Sequence, residues 1–207
     1  MVQKEPGRRG RPRAYDPDAA LARAMDAFWG AGFAATSLDE LSAVTGMNRP
    51  SLYAAFGDKH ALYMKALERY RADARAALAE ALAPSQPLAE GLAAVYRSAL
   101  ALYLSEDEGG RGCFVIGTAA TEAVRDPDAR AALAGIIAEI DEAFAARIAL
   151  ARAEHEIDLA ADPMALAKLA SAVLHSLAIR ARAGAGRAEL EALAEAGIAL
   201  ICAGAER

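Results

Sequence analysis

A chain of 207 residues can form one large or two small domains around a substantial core. Apolar residues make up 55% of it, dominated by alanine and leucine, and aromatics only 6%, which favours helices and argues against a strand-rich fold. Two cysteines, Cys113 and Cys202, are too few for a disulfide scaffold and fit a reducing, cytoplasmic setting. The net charge of −5 argues against nucleic acid only until its distribution is read. Residues 1–13 carry Lys4, Arg8, Arg9, Arg11 and Arg13 against Glu5, so a basic arm precedes an acidic body. No apolar segment follows that arm, so it does not read as a secretory signal. Uncharged runs such as Leu169–Ile179, eleven residues, fall short of the roughly 20 needed to cross a membrane, and no membrane partner is expected.

Three Asp-Pro pairs, at 16–17, 126–127 and 162–163, each open an apolar pattern of helical spacing. Aspartate can accept from the free N–H groups of a first helical turn, and proline fits there because its missing N–H had no partner. The first helix carries Leu21, Ala24, Met25 and Phe28 and ends at Gly30 or Gly32. A short helix over Leu38–Thr45 starts with a Ser37-x-x-Glu40 capping box, and Gly46 breaks it. Asn48 caps a second short helix over Arg49–Phe56, which Gly57 ends. Asp58 opens a longer helix, stopped by Pro84-Ser85-Gln86-Pro87. Further helices are expected over 88–104, 112–124, 127–154, 163–183 and 188–204. The fold class is therefore all-α.

Two short helices joined through a glycine-containing turn form the helix-turn-helix pattern. Leu38, Leu41, Val44, Leu52 and Phe56 are expected to fix the angle between them, leaving Asn48, Arg49, Ser51 and Tyr53 outward. Arginine offers a planar fork to guanine O6 and N7, and hydroxyls suit phosphates. The run GFAATSLDELSAVTGMNRPSLYAAFGDKHALY strongly resembles the DNA-binding domain of TetR-family repressors of the AcrR-like kind. Shared are the Thr-Ser helix start, the turn glycine, the S-L-Y-x-x-F core and the lysine opening the next helix. The close match covers residues 15–65. The resemblance implies base contacts by Arg49 and Pro50, and phosphate contacts by Ser37, Ser51, Tyr53 and Lys59. It also implies a homodimer on the last two long helices, a palindromic operator in double-stranded DNA, and an effector cavity in the C-terminal part. The expected division is a basic arm (1–14), a helix-turn-helix domain (15–62) and a helical effector-binding and dimerisation domain (63–207).

Within the arm, Arg9-Gly10-Arg11-Pro12-Arg13 contains the R-G-R-P core of an AT-hook, in which arginines lie along an A·T-rich minor groove. A solvated basic tail is the alternative. Tyr96, Tyr103, Cys113, Phe114 and His175 are candidates for the effector pocket, with packing the competing reading for each. Cys113, beside Arg111 at an expected helix start, would have its thiolate favoured and could sense oxidants or electrophiles. His60, His155 and His175 are far apart in sequence and suggest no metal site, and no cofactor is expected. A ligand-free architectural DNA-binding dimer and a helical-bundle enzyme are the rival functions. The second lacks any nucleophile elbow, phosphate loop or Glu-x-x-His pair.

Overall fold

The computed structural model describes residues 16–104, 110–158, 160 and 162–203, so the arm with Arg9, Arg11 and Arg13 lies outside the described residues. Its regular elements there are all helical. They are α1 (Pro17–Ala31), α2 (Leu38–Thr45), α3 (Arg49–Phe56), α4 (Lys59–Ala81), α5 (Leu88–Tyr103), α6, α7 (Pro127–Ala153), α8 (Pro163–Arg182) and α9 (Arg187–Cys202). Here α6 denotes a π-helical turn, Val115–Ala119, that runs on into Ala120–Glu122.

Local chemistry sets most of the boundaries. Asp16, Asp126 and Asp162 each accept first-turn N–H groups ahead of a proline. The Ser37–Glu40 capping box is complete, and Asn48 and Asp58 cap α3 and α4 through the Ser51 and Ala61 N–H groups. The start of α5 is served from far away in sequence. Pro87 offers no side-chain cap, and the Leu88 N–H donates instead to the Glu156 carboxylate beyond α7. Arg147, buried on α7, donates to Glu156 at 2.8 Å and to the Gln86 carbonyl at 2.7 Å, tying both helix ends together.

The first three helices and the start of α4 pack around Phe28, Leu41, Met47, Leu52, Phe56, Leu62 and Tyr63, all buried. Leu38 is only partly buried, and Val44, expected in this core, is 37% exposed because its side chain falls on the outer face of α2. α4 then crosses to α7 and α5, while α8 packs between α7, α5 and α9. An ion-paired trio secures α4 on α7: Arg71 and Arg75 both donate to Glu139, whose carboxyl they hold down at about 2.

The segment before α6 departs from the continuous helix expected over 112–124. Gly112 has φ +63, and Gly110 and Gly112 lie against the α8 backbone, where a Cβ on either would fall within 2.6 Å of the Ala181 or Ala178 carbonyl oxygen. Helix therefore begins only after Cys113, and its first turn is π-wound. α8 is long and apolar enough to cross a membrane on length and composition alone, contrary to the reading of uncharged runs. Its inward face (Ala167, Ala170, Leu174, Leu177, Ala178, Ala181) is buried against neighbouring helices, as in the core helix of a bundle.

Gly112→Ala should lower unfolding free energy by about 2–4 kcal/mol, combining left-handed strain with overlap on α8. Gly184 also has a positive φ, +89, but open space around it, so Gly184→Ala should lose only about 1–2 kcal/mol. Denaturant unfolding of both variants checks the difference; equal losses would mean that the contact with α8 is unimportant.

Candidate nucleic-acid interface and effector cavity

The turn of the helix-turn-helix is held by threonines. Thr45 Oγ1 donates to the Leu41 carbonyl at 2.6 Å and accepts the Met47 N–H at 3.3 Å, while Gly46 takes φ +67 between them. Arg23 on α1 donates to the Thr45 carbonyl at 3.3 Å, and buried Thr36 bonds back to the Gly32 carbonyl at 2.7 Å. With α2 and α3 fixed in this way, Ser37, Asn48, Arg49, Pro50 and Tyr53 are exposed, and Ser51 and Lys59 are half-buried. Ser37 Oγ and Asn48 Oδ1 are occupied as cap acceptors, but the serine hydroxyl hydrogen and the asparagine NH₂ remain available as donors. The Lys59 ammonium lies 4.5 Å from the Phe33 ring centroid, which steadies it at the start of α4. The Arg49 guanidinium is held by Asp39 on α2, at 2.6 Å.

Behind this surface, α4 to α8 line a partly open cavity of about 120 Å³. α4 contributes Tyr70, Ala74, Ala77 and Leu78; aliphatic side chains of α5, α6 and α7 complete most of the wall. The polar groups on the wall come from Tyr70, Ser98, Tyr103, Cys113 and His175. Of the five residues expected around an effector, Tyr103, Cys113 and His175 line this cavity. Tyr96 and Phe114 do not. The Tyr96 hydroxyl donates to the Ala170 carbonyl at 3.1 Å, and Phe114 fills an aromatic cluster with Trp29, Tyr63 and Tyr70.

The expectation of a favoured Cys113 thiolate is overturned. Burial pushes the thiol above its usual value and outweighs the hydrogen bonds from the Ile116 and Val115 backbone and from Tyr70 and Tyr103. Arg111 gives no compensation, because its guanidinium stacks 3.6 Å from the Trp29 ring centroid and pairs with Asp26 at 3.1 Å. Burial also raises Tyr70 and Tyr103 well above the usual phenol value, and lowers His175 against the opposing charge of Asp141. At neutral pH the wall is polar in places but uncharged.

Two ties join the cavity region to the N-terminal helices. Trp29 on α1 donates its indole N–H to the Gly112 carbonyl at 3.2 Å, next to Cys113. His60, on the first turn of α4, bonds Asp126 at the start of α7 at 2.7 Å, with Asp128 at 4.0 Å. Sequence distance hid both ties, and hid Tyr70 as the hydroxyl bonding Cys113 at 3.2 Å. The His60, Asp126 and Asp128 ligand atoms all lie within 4.8 Å of one another. Both Asp126 oxygens are occupied, one by the N–H groups of Asp128 and Ala129 and the other by His60, so the trio serves as a cap and tether.

Comparison with known proteins matches residues 20–66 to the family described as bacterial regulatory proteins, tetR family, and residues 88–197 to the tetracyclin repressor-like C-terminal domain. The HTH-type transcriptional repressor ComR of Escherichia coli (strain K12) is 34% identical over 187 residues, covering 90% of this chain and 89% of ComR. BdcR, a repressor of the same organism, is 38% identical over 117 residues, covering 56% of this chain and 59% of its own. Among solved structures, a cysteine-substituted form of the TetR-family regulator CifR, complexed with 26-bp double-strand operator DNA, superposes with a TM-score of 0.78 at 34% identity. That match covers 91% of this chain and 98% of CifR. The helix-turn-helix, the helical body behind it and these relatives agree: the chain belongs to the TetR family of DNA-binding transcriptional regulators, a non-enzymatic family.

Proposed function

We propose that this regulator is a cytoplasmic homodimeric repressor that leaves a palindromic operator when a small, neutral, mostly apolar molecule enters the cavity. The observation that carries this reading is that one helix serves both ends. α4 lines the cavity with Tyr70, Ala74, Ala77 and Leu78 and starts with Lys59 at the DNA-facing surface. A ligand that displaces the wall shifts α4, and a shift of a few ångströms misplaces α3 on one half-site of an operator whose spacing is fixed by the DNA helix. Coupling is reciprocal: the ligand favours the released form, and the operator weakens the ligand. The uncharged wall argues for a neutral ligand, and a dry apolar cavity of about 150 Å³ holds benzene, so a ligand of that order fits without large expansion. The cavity favours this reading over a ligand-free architectural dimer.

In this reading the chain divides into an arm (1–14), a DNA-binding domain (15–62) and a sensor and dimerisation domain (63–207). Arg49 and Pro50 meet base edges; Ser37, Asn48, Ser51, Tyr53 and Lys59 hold phosphates; Arg9, Arg11 and Arg13 extend the footprint into the minor groove. ComR is a repressor, and CifR is bound to operator DNA in its solved complex, which supports the assignment. A thiol-reactive effector is a second reading, which rests only on the place of the Cys113 sulfur on the cavity wall and runs against the burial that keeps the thiol protonated.

In this reading the dimer face lies on the outer positions of α8 and α9. Val173, Leu174, Leu177, Leu190 and Ile201 are buried within the protomer, which leaves Leu169 (40% exposed), Ile179 (58%) and Leu200 (68%) to meet a partner. Exposed Ala192, Ala196 and Ala199 beside Leu200 would allow close helix approach. Leu200→Asp should yield a folded monomer in sedimentation; a variant that stayed dimeric would place the interface elsewhere.

Arg49→Ala should weaken operator binding by about 1–3 kcal/mol and relax one base pair per half-site. Lys59→Ala should weaken all duplexes alike and lower the salt slope by about one unit. Equal loss of specificity in both variants would reverse these roles. For the switch, neutral apolar compounds selected by binding should release operator from wild type and from Cys113→Ser alike. Release by N-ethylmaleimide from wild type only, with no compound acting on the Ser variant, would replace occupancy by thiol modification as the trigger.

A further inference from the structure

Arg49 is the first residue of α3 and Asp39 the second of α2, so the helix-turn-helix places a carboxylate from one helix against the guanidinium of the other. Nε and Nη2 of Arg49 both donate to Asp39 Oδ1, at 3.0 and 2.6 Å. That occupies one edge of the guanidinium. The end-on edge, formed by Nη1 and the outer N–H of Nη2, keeps two parallel donors and is the fork left to match guanine O6 and N7. The two side chains are 53% and 78% exposed, a setting in which an ion pair adds little to folding, so its consequence lies at the surface it organises.

We propose that Asp39 is a positioning residue for DNA recognition: it fixes Arg49 with its end-on edge presented to guanine, and so sets base preference without touching a base. The proposal rests on the base-reading role given to Arg49 above. A free arginine can swing to a phosphate or to another base, and those contacts bind without discriminating. The Asp39 carboxylate holds Arg49 back from them and repels phosphates itself. It therefore lowers affinity for DNA in general while sharpening the choice among sequences.

The test uses the full chain. Wild type selects a site from a random duplex pool. Wild type, Asp39→Asn, Asp39→Glu, Arg49→Ala and the Asp39→Asn/Arg49→Ala double variant are then titrated on that site. The same proteins are titrated on the site's single-base changes and on an unrelated duplex of equal length. Asp39→Asn should lower the preference for guanine at the position read by Arg49 by about tenfold, with affinity for the unrelated duplex equal or higher. Asp39→Glu should restore part of the preference, and once Arg49 is alanine Asp39→Asn should change the affinity of all duplexes alike without altering the preference further. Unfolding should be unaltered in each, since both side chains are exposed. If Asp39→Asn strengthens all duplexes equally, Asp39 is a mere competitor and the proposal falls; it falls also if no titration changes. If Arg49→Ala itself keeps the base preference, the reading of Arg49 fails first. If Arg49→Ala loses the preference and Asp39→Asn keeps it, only the role of Asp39 is overturned.

Discussion

The 23 residues of α4 run from Lys59 to Ala81 with no glycine or proline between them, so about 35 Å of chain moves as one rod. Everything else is arranged around that continuity. At one end Leu62 and Tyr63 are buried against the helix-turn-helix, and at the other Leu78 closes the cavity. Arg71 and Arg75, which alternate along the helix with the cavity residues Tyr70, Ala74 and Leu78, clasp Glu139 on α7. Contacts at both ends suit the lever proposed above, because packed helices shift as units and do not deform smoothly.

The electrostatics of the two ends differ in a way that suits the proposed tasks. On the candidate DNA surface the polar groups are exposed and several keep donors unused. Around the cavity, burial holds the Tyr70, Tyr103 and Cys113 hydrogens in place and His175 neutral. An uncharged wall admits a neutral molecule without the penalty of an unpaired buried charge. Arg111 stacks on Trp29 and pairs with Asp26, which fastens the segment that carries Cys113 to α1, and its charge acts on the Tyr70 hydroxyl against the effect of burial.

How much of this was legible in the sequence depended on the range of the interaction. Caps are local, and Ser37, Asn48, Asp58 and the Asp-Pro pairs placed the starts of α1 to α4, α7 and α8 to within a residue. The resemblance of residues 15–65 gave the family, which the comparisons show. Long-range chemistry was not legible. Nothing near Pro87 announces that Glu156 will cap α5, and nothing near Cys113 announces two tyrosine hydroxyls from α4 and α5. Two readings of Cys113 stayed open for that reason: Arg111 and a helix start argue for a thiolate, but the sulfur is buried and desolvation dominates, as in the packing reading. Apolar spacing likewise could not tell the inner face of α8, where Leu177 lies, from the outer face that bears Ile179.

The most direct test of the proposed lever is the separation of the two α3 helices in the proposed dimer. A spin label at exposed Ala54→Cys, with Cys113 and Cys202 replaced by serine, reports that distance by double electron–electron resonance. Ala99→Leu, projecting from α5 into the cavity, serves as a permanent occupant. On operator the unfilled protein should show one narrow distance, matched to about one helical turn of DNA, roughly 35 Å or a multiple. The filled variant should show a mean shifted by several ångströms together with weakened operator binding. Weakened binding with an unchanged separation would contradict the account, as would a shifted separation with full operator affinity.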